Sequence, residues 1–151
     1  RCQNMKKIFF ILIFLCVSLT AYVIVAKTPK EQSLQHDILN NIQLSKVKAN
    51  TLISPEDQIY QITSDDSSAL LSLVESMSVK KTKIKDPKNY TSISFSGVGG
   101  SFQLFIYENN YITIPTQDTD TVYEIIEPKL AKRLLNVTNR IQENKQNLLS
   151  K

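Results

Sequence analysis

Ser101-Phe102-Gln103-Leu104-Phe105-Ile106-Tyr107 alternates without a break: Phe102, Leu104 and Ile106 fall on one face, Gln103, Phe105 and Tyr107 on the other. A period of two residues belongs to a strand with one buried face. Upstream, Gly97-Val98-Gly99-Gly100 turns the chain, glycine permitting the positive φ of hairpin turns. Residues 90–96 before it repeat the pattern, with Ile93 and Phe95 together. Downstream, Glu108-Asn109-Asn110 makes a second turn, asparagine tolerating the left-handed region. Residues 111–114 return as a strand that Pro115 ends, residues 116–121 form a polar loop, and residues 122–126 add a fourth strand.

Helices flank this meander. Asp65-Asp66-Ser67-Ser68 offers side-chain oxygens to the first free N–H groups of a helix over residues 67–77, with Leu70, Leu73, Val74 and Met77 on one face. Glu127 and Pro128 open a second helix, striped by Leu130, Leu134, Val137 and Ile141. Past Gln142 the stripe fades into a polar tail. Ser54-Pro55-Glu56-Asp57 is a turn before the short strand pattern Ile59, Tyr60, Ile62. The lysine-rich residues 80–88 allow at most a short edge strand. The class is α+β: an antiparallel sheet of about four strands with two helices packed on one face, preceded by an N-terminal transmembrane or signal helix.

That last element is the strongest compositional signal. Met5-Lys6-Lys7 opens an uncharged run, residues 8–26, rich in Ile, Phe, Leu and Val. As a helix these residues extend about 28 Å, close to the hydrocarbon thickness of a bilayer. The run is longer than a usual signal core, which favours a retained anchor; Ala26 before Lys27-Thr28-Pro29 offers a cleavage point. Lys6 and Lys7 hold the N-terminus inside, so the bulk of the chain lies outside a cell membrane crossed once, or is secreted after cleavage near Ala26. Residues 1–4 precede the first methionine, residues 5–26 are anchor or signal, and residues 27–51 read as a polar stalk with a weak helical pattern at Leu34, Ile38 and Ile42. Residues 52–142 form the extracytoplasmic domain, and residues 143–151 are tail.

Composition excludes several chemistries. Cys2 and Cys16 both fall before Lys27, so the exported part has no disulfide, thiol nucleophile or thiolate site, which suits a Gram-positive cell envelope. Leu15, Phe14 and Ile13 before Cys16 are too bulky for a lipoprotein cleavage signal. Arg1, Lys6 and Lys7 account for three of the 18 Lys and Arg, leaving 15 against 14 acidic residues beyond Ala26. So near-neutral a domain lacks the electrostatic footprint of a nucleic-acid binder. The single histidine, His36, lies in the stalk region, away from any serine-histidine pairing, and one histidine without cysteine cannot complete the usual zinc sets. No pattern calls for a cofactor. Gly97-Val98-Gly99-Gly100 precedes a strand, not the helix a phosphate loop needs. Asn89-Tyr90-Thr91 and Asn136-Val137-Thr138 match the glycosylation pattern, which has no meaning in a bacterial source.

Two surfaces remain as binding candidates. Lys80, Lys81, Lys83, Lys85 and Lys88 form the one marked charge run, suited to anionic lipid or a wall polymer, or to guarding a sheet edge. Among Tyr60, Tyr90, Tyr107, Tyr111 and Tyr123, the pair Tyr107 and Tyr111 flanks a turn and, with Phe105, makes an aromatic strip for protein or glycan contacts unless the last helix covers it. The carboxylates Asp65, Asp66, Asp118 and Asp120 suit capping and turns, and are the residues a small hydrolase would use.

The run Pro55-Glu56-Asp57-Gln58-Ile59-Tyr60-Gln61-Ile62, the helix after Asp65-Asp66, and the hairpin of residues 102–114 with Val122-Tyr123-Glu124-Ile125 resemble small exported domains of unknown function from clostridia and related Firmicutes. The resemblance covers roughly residues 52–137 and implies no catalytic residue. The expectation is a non-enzymatic binding or regulatory domain of the envelope, held to the membrane through residues 8–26 and meeting an envelope protein or anionic polymer; the alternative is a carboxylate hydrolase. If the anchor is retained, the full-length protein stays in the membrane fraction through a carbonate wash. A form beginning after Ala26 and found in the medium would show cleavage instead.

Overall fold

The computed structural model describes residues 13–18, 29–84 and 88–149. The chain divides into two units, Arg1–Lys30 and Glu31–Lys151. In the first, residues 13–18 are helical and expose Phe14, Leu15 and Val17. Among the described residues no helix is long and apolar enough to cross a membrane, so the expected membrane-spanning helix is not part of the described fold. The rest of residues 5–26 lies outside the described residues.

The second unit contains β1 (Glu31–Ser33), β2 (Val47–Ile53), β3 (Ile59–Gln61), α1 (Ser64–Ser76), β4 (Ser78–Lys81), β5 (Tyr90–Gly97), β6 (Gly100–Tyr107), β7 (Tyr111–Ile114), β8 (Asp118–Ile125) and α2 (Pro128–Leu149). Its sheet has eight strands, not about four, in the order β1-β4-β8-β7-β6-β5-β2-β3. Every pairing is antiparallel. The meander β5-β6-β7-β8 sits at the centre, with β8 beginning at Asp118, inside the segment expected to be a polar loop. The four added strands extend it on both sides.

Three of those strands come from stretches whose polarity disguised them. β4 is interior, between β1 and β8, although Val79 is its only apolar residue amid serine and lysine. β1 is the edge strand beside it, and Ser33 N–H at that edge donates to Asp37 Oδ2 at 2.7 Å. β2 lies in the segment expected to be a stalk. Residues 31–51 are part of the domain because Leu34, Leu39, Leu44, Val47 and Ala49 are buried in its core. Fully burying one such leucine stabilises by about 1.5–3 kcal/mol. The weak helix expected there is a five-residue π-helical turn, Leu34–Ile38, followed by a 3-10 turn, Leu44–Lys46. The residues expected as a frayed tail continue α2 to Leu149.

Alternation along the central strands sorts the two faces. Ile93 opposite Leu104, Phe95 opposite Phe102 and Ile106 opposite Ile112 point inward, and the Phe95 and Phe102 rings stack at 4.4 Å. Leu70, Leu73 and Val74 of α1 and Leu130, Leu134 and Ile141 of α2 close the same core, and the two helices pack on each other. α1 begins earlier than expected because Thr63, not Asp65 or Asp66, is its N-cap. The Ser67 hydroxyl takes the Ala49 N–H at 2.8 Å, next to a bulge in β2, and ties the helix to the sheet.

The chain's three glycines all lie at the β5–β6 turn, and close approach explains them better than turn geometry. Residues 42–46 press against this tip, with Gln43 N–H donating to Gly99 O at 3.0 Å. A Cβ at Gly97 would lie 2.2 Å from Lys46 O, and one at Gly99 would lie 2.4 Å from Gln43 O. Only Gly100 adopts a positive φ, 124°. Gly97→Ala and Gly99→Ala are each predicted to cost about 1–3 kcal/mol by overpacking. Leu39→Ala should cost about 2–5 kcal/mol, whereas Val98→Ala, at a residue 94% exposed, should stay within about 0.5 kcal/mol. Urea unfolding measures all four. A near-neutral Leu39→Ala would detach residues 31–51 from the core.

Candidate functional site

On the outward face, Ile53 of β2, Ser92 of β5, Phe105 of β6 and Thr113 of β7 form one cross-strand row. Serine is the smallest of these, and it lies between Ile53 and Phe105. A cleft of about 370 Å³ opens above it. One wall is the ring of Tyr90 stacked on Phe105, with centroids 4.2 Å apart and planes 5° from parallel. The other wall is Ile53 with Pro55. Gln103, Asp57 and Asn89 complete the rim.

Two loops bring the rim together. Asp57 N–H donates to Ser54 O at 3.0 Å, so residues 54–57 make a turn with Pro55 in its second position, followed by Asp57 at φ 59°. That is a type of hairpin connection in which a left-handed residue returns the chain to its strand. Ser54 N–H then pairs with Gln58 O at 3.0 Å. Asn89 has φ 57° immediately before β5 begins. Asp and Asn are among the few residues that adopt this region readily. Both left-handed residues therefore project from loops beside the cleft, 32 positions apart in sequence and joined by the β2–β5 pairing.

The expected aromatic strip is divided. Phe105 lines the cleft, half-buried. Tyr111 stays on the outward face opposite Glu124, also half-buried. Tyr107 is only 7% exposed and is not open to a partner. The Tyr90 ring meets it edge-on at 5.8 Å, and its hydroxyl lies 3.3 Å from Thr113 Oγ1. Tyr60 and Tyr123 are buried on the core side. Tyr90, 41% exposed, is the ring the outward face presents most openly.

The lysine run does not make one patch. Lys80 faces outward from β4, 3.2 Å from Glu124 Oε2. Its neighbour Lys81 points to the opposite side of the strand and is engaged in an interaction of its own. Lys83 and Lys88 are exposed on the connection to β5. Lys85 lies outside the described residues.

The carboxylates considered for hydrolysis are spread out. Asp65 and Asp66 occupy the first turn of α1, just after β3. Asp118 and Asp120 belong to the start of β8, five strand spacings from β3 and about 24 Å along the sheet. Buried Asp66 is fully engaged: its Oδ2 accepts from the Thr63 hydroxyl at 3.0 Å, and its Oδ1 meets Arg140 Nη2 of α2. Its N–H in turn donates to Thr63 Oγ1 at 3.2 Å. This knot joins the start of α1 to α2. Among the described residues no group of His, Cys, Asp and Glu is placed to hold a metal ion.

Ser92 and its rim had no visible signal in the sequence beyond the alternation of β5. A serine on the outward face is ordinary until its cross-strand neighbours are known. Asp66→Ala is predicted to destabilise the domain by about 1–3 kcal/mol, since it leaves buried partners unsatisfied. Exposed Asp65 changed to Ala should shift stability by no more than about 0.5 kcal/mol. Thermal unfolding separates the two, and equal effects would remove Asp66 from its role as a knot.

No family model matches the chain, and neither a curated protein nor a solved structure is found to match it.

Proposed function

We propose that this is a non-enzymatic binding domain of the cell envelope, tethered or secreted by way of residues 5–26, which engages its partner through the outward face of its sheet. The observation that carries the reading is the stacked Tyr90–Phe105 pair, which stands at the edge of a cleft that Ser92, Gln103, Asp57 and Asn89 also line. Aromatic side chains are enriched among the few residues that carry most of the binding energy at recognition surfaces. The apolar residues 8–26, with Phe14, Leu15 and Val17 exposed in the described helical part, support the extracytoplasmic address. The thiol-free composition beyond Lys27 and the resemblance to small exported domains agree with it.

An interior position in the sheet suits recognition of this kind. β5 and β6 are paired on both sides, so a ligand meets side chains held at fixed spacing and no free backbone edge. The double variant Tyr90→Ser/Phe105→Ser is expected to lose about tenfold or more in retention on an isolated envelope fraction. Changing Lys80, Lys81, Lys83, Lys85 and Lys88 to Gln should leave retention intact. Loss with the lysine variant alone would transfer the binding role to an anionic-surface contact.

A further inference from the structure

We infer that the cleft above Ser92 is a saccharide site that takes one or two rings of a neutral, β-linked glycan chain; this deepens the proposed binding function and rests on it. The first ground is the state of the polar groups. Ser92 is 6% exposed, and among the described residues its hydroxyl has no hydrogen-bond partner. The side chains of Asp57, Asn89 and Gln103 around it are likewise unpaired among the described residues. Among the described residues no fully buried side-chain nitrogen or oxygen lacks a partner, so this hydroxyl is reached through the cleft, where an incoming ligand can pair with it. Here four side chains with donor and acceptor capacity converge on the same open space.

The second ground is the wall. A pyranose with equatorial substituents has a flat C–H face and a polar rim of hydroxyls. The electron-rich face of an aromatic ring attracts those C–H groups, while carboxylate, amide and hydroxyl side chains bind the rim. Tyr90 and Phe105 supply the apolar wall, and Asp57, Asn89, Ser92 and Gln103 the polar contacts. The cleft's roughly 370 Å³ lies at the small end of ligand pockets, which fits one or two rings and not a large cofactor.

The lining also argues against other occupants. Among the described residues no Lys or Arg borders the cleft and Asp57 is its one charged residue, so a phosphate or carboxylate ligand would meet repulsion from it without a counter-charge. A peptide added as an extra strand needs an unpaired sheet edge, and β5 lies between β2 and β6. The site is therefore built for a neutral ligand with one apolar face.

Isothermal titration of the full chain in detergent with chitotetraose, a β-1,4-linked N-acetylglucosamine oligomer, tests the assignment. Saturable binding is expected, weakened about tenfold or more by Phe105→Ala, which removes the wall. Ser92→Leu, which fills the cleft from its floor, should abolish it, with circular dichroism confirming that the variant folds. Lys80→Gln should bind as the unmodified protein does. Absence of chitotetraose binding by the folded protein, or binding indifferent to Ser92→Leu, would overturn the saccharide site. If envelope retention still depends on Tyr90 and Phe105 while chitotetraose fails, the sugar assignment falls and the binding face stands; if both fail, the binding reading falls with it.

Discussion

The register of the β5–β6 hairpin is the constraint on which both the core and the cleft depend. Eight residue pairs run without interruption from Tyr90 opposite Tyr107 to Gly97 opposite Gly100. Because side chains alternate strictly, this one register sends Phe95, Phe102 and Leu104 inward and leaves Tyr90, Ser92 and Phe105 outward. A slip of one residue would exchange the two sets, placing serines in the core and phenylalanines in water. Burial of the inner row thus also determines where the outward aromatic wall stands. The hairpin tip is held by residues 42–46, whose backbone fits against Gly97 and Gly99 only in the absence of a Cβ.

The same strand pairing holds the walls of the cleft in place. Its floor and aromatic wall rise from interior strands, and its opposite wall comes from Ile53 at the end of β2, which pairs with Ser92 directly. Asp57 and Asn89 enter from loops beside that pairing. Asp66 and Arg140 join the helices across the covered side, away from the outward row proposed for recognition.

Parts of this were legible in the sequence because single-chain periodicity carried them. Phe102, Leu104 and Ile106 announce a strand, and Leu70, Leu73 and Val74 announce a helix, whatever surrounds them. Residues 31–53 were not legible, since buried Leu34, Leu39 and Leu44 recur every five residues, a spacing that fits neither strand nor α-helix. β1 has three residues, too short for alternation to register, whereas the equally short β3 was marked by Ile59 and Tyr60 after a turn; β4 shows Val79 alone among polar neighbours. Phe105 was recognisable as an outward aromatic. Ser92 was not, because a cleft is missing volume between neighbours, and those neighbours, Ile53 and Phe105, are set by pairing rather than by sequence proximity. The lysine run looked continuous only in sequence; strand geometry separates Lys80 from Lys81.

The most direct test is to map contacts by amide NMR while the protein is titrated with solubilised envelope glycan. Shifts concentrated at Ile53, Asp57, Asn89, Ser92, Gln103 and Phe105, with α1 and α2 unmoved, are what this account predicts. Shifts gathered on the helices or on Lys80 to Lys88, with the outward row of β5 and β6 silent, would contradict it.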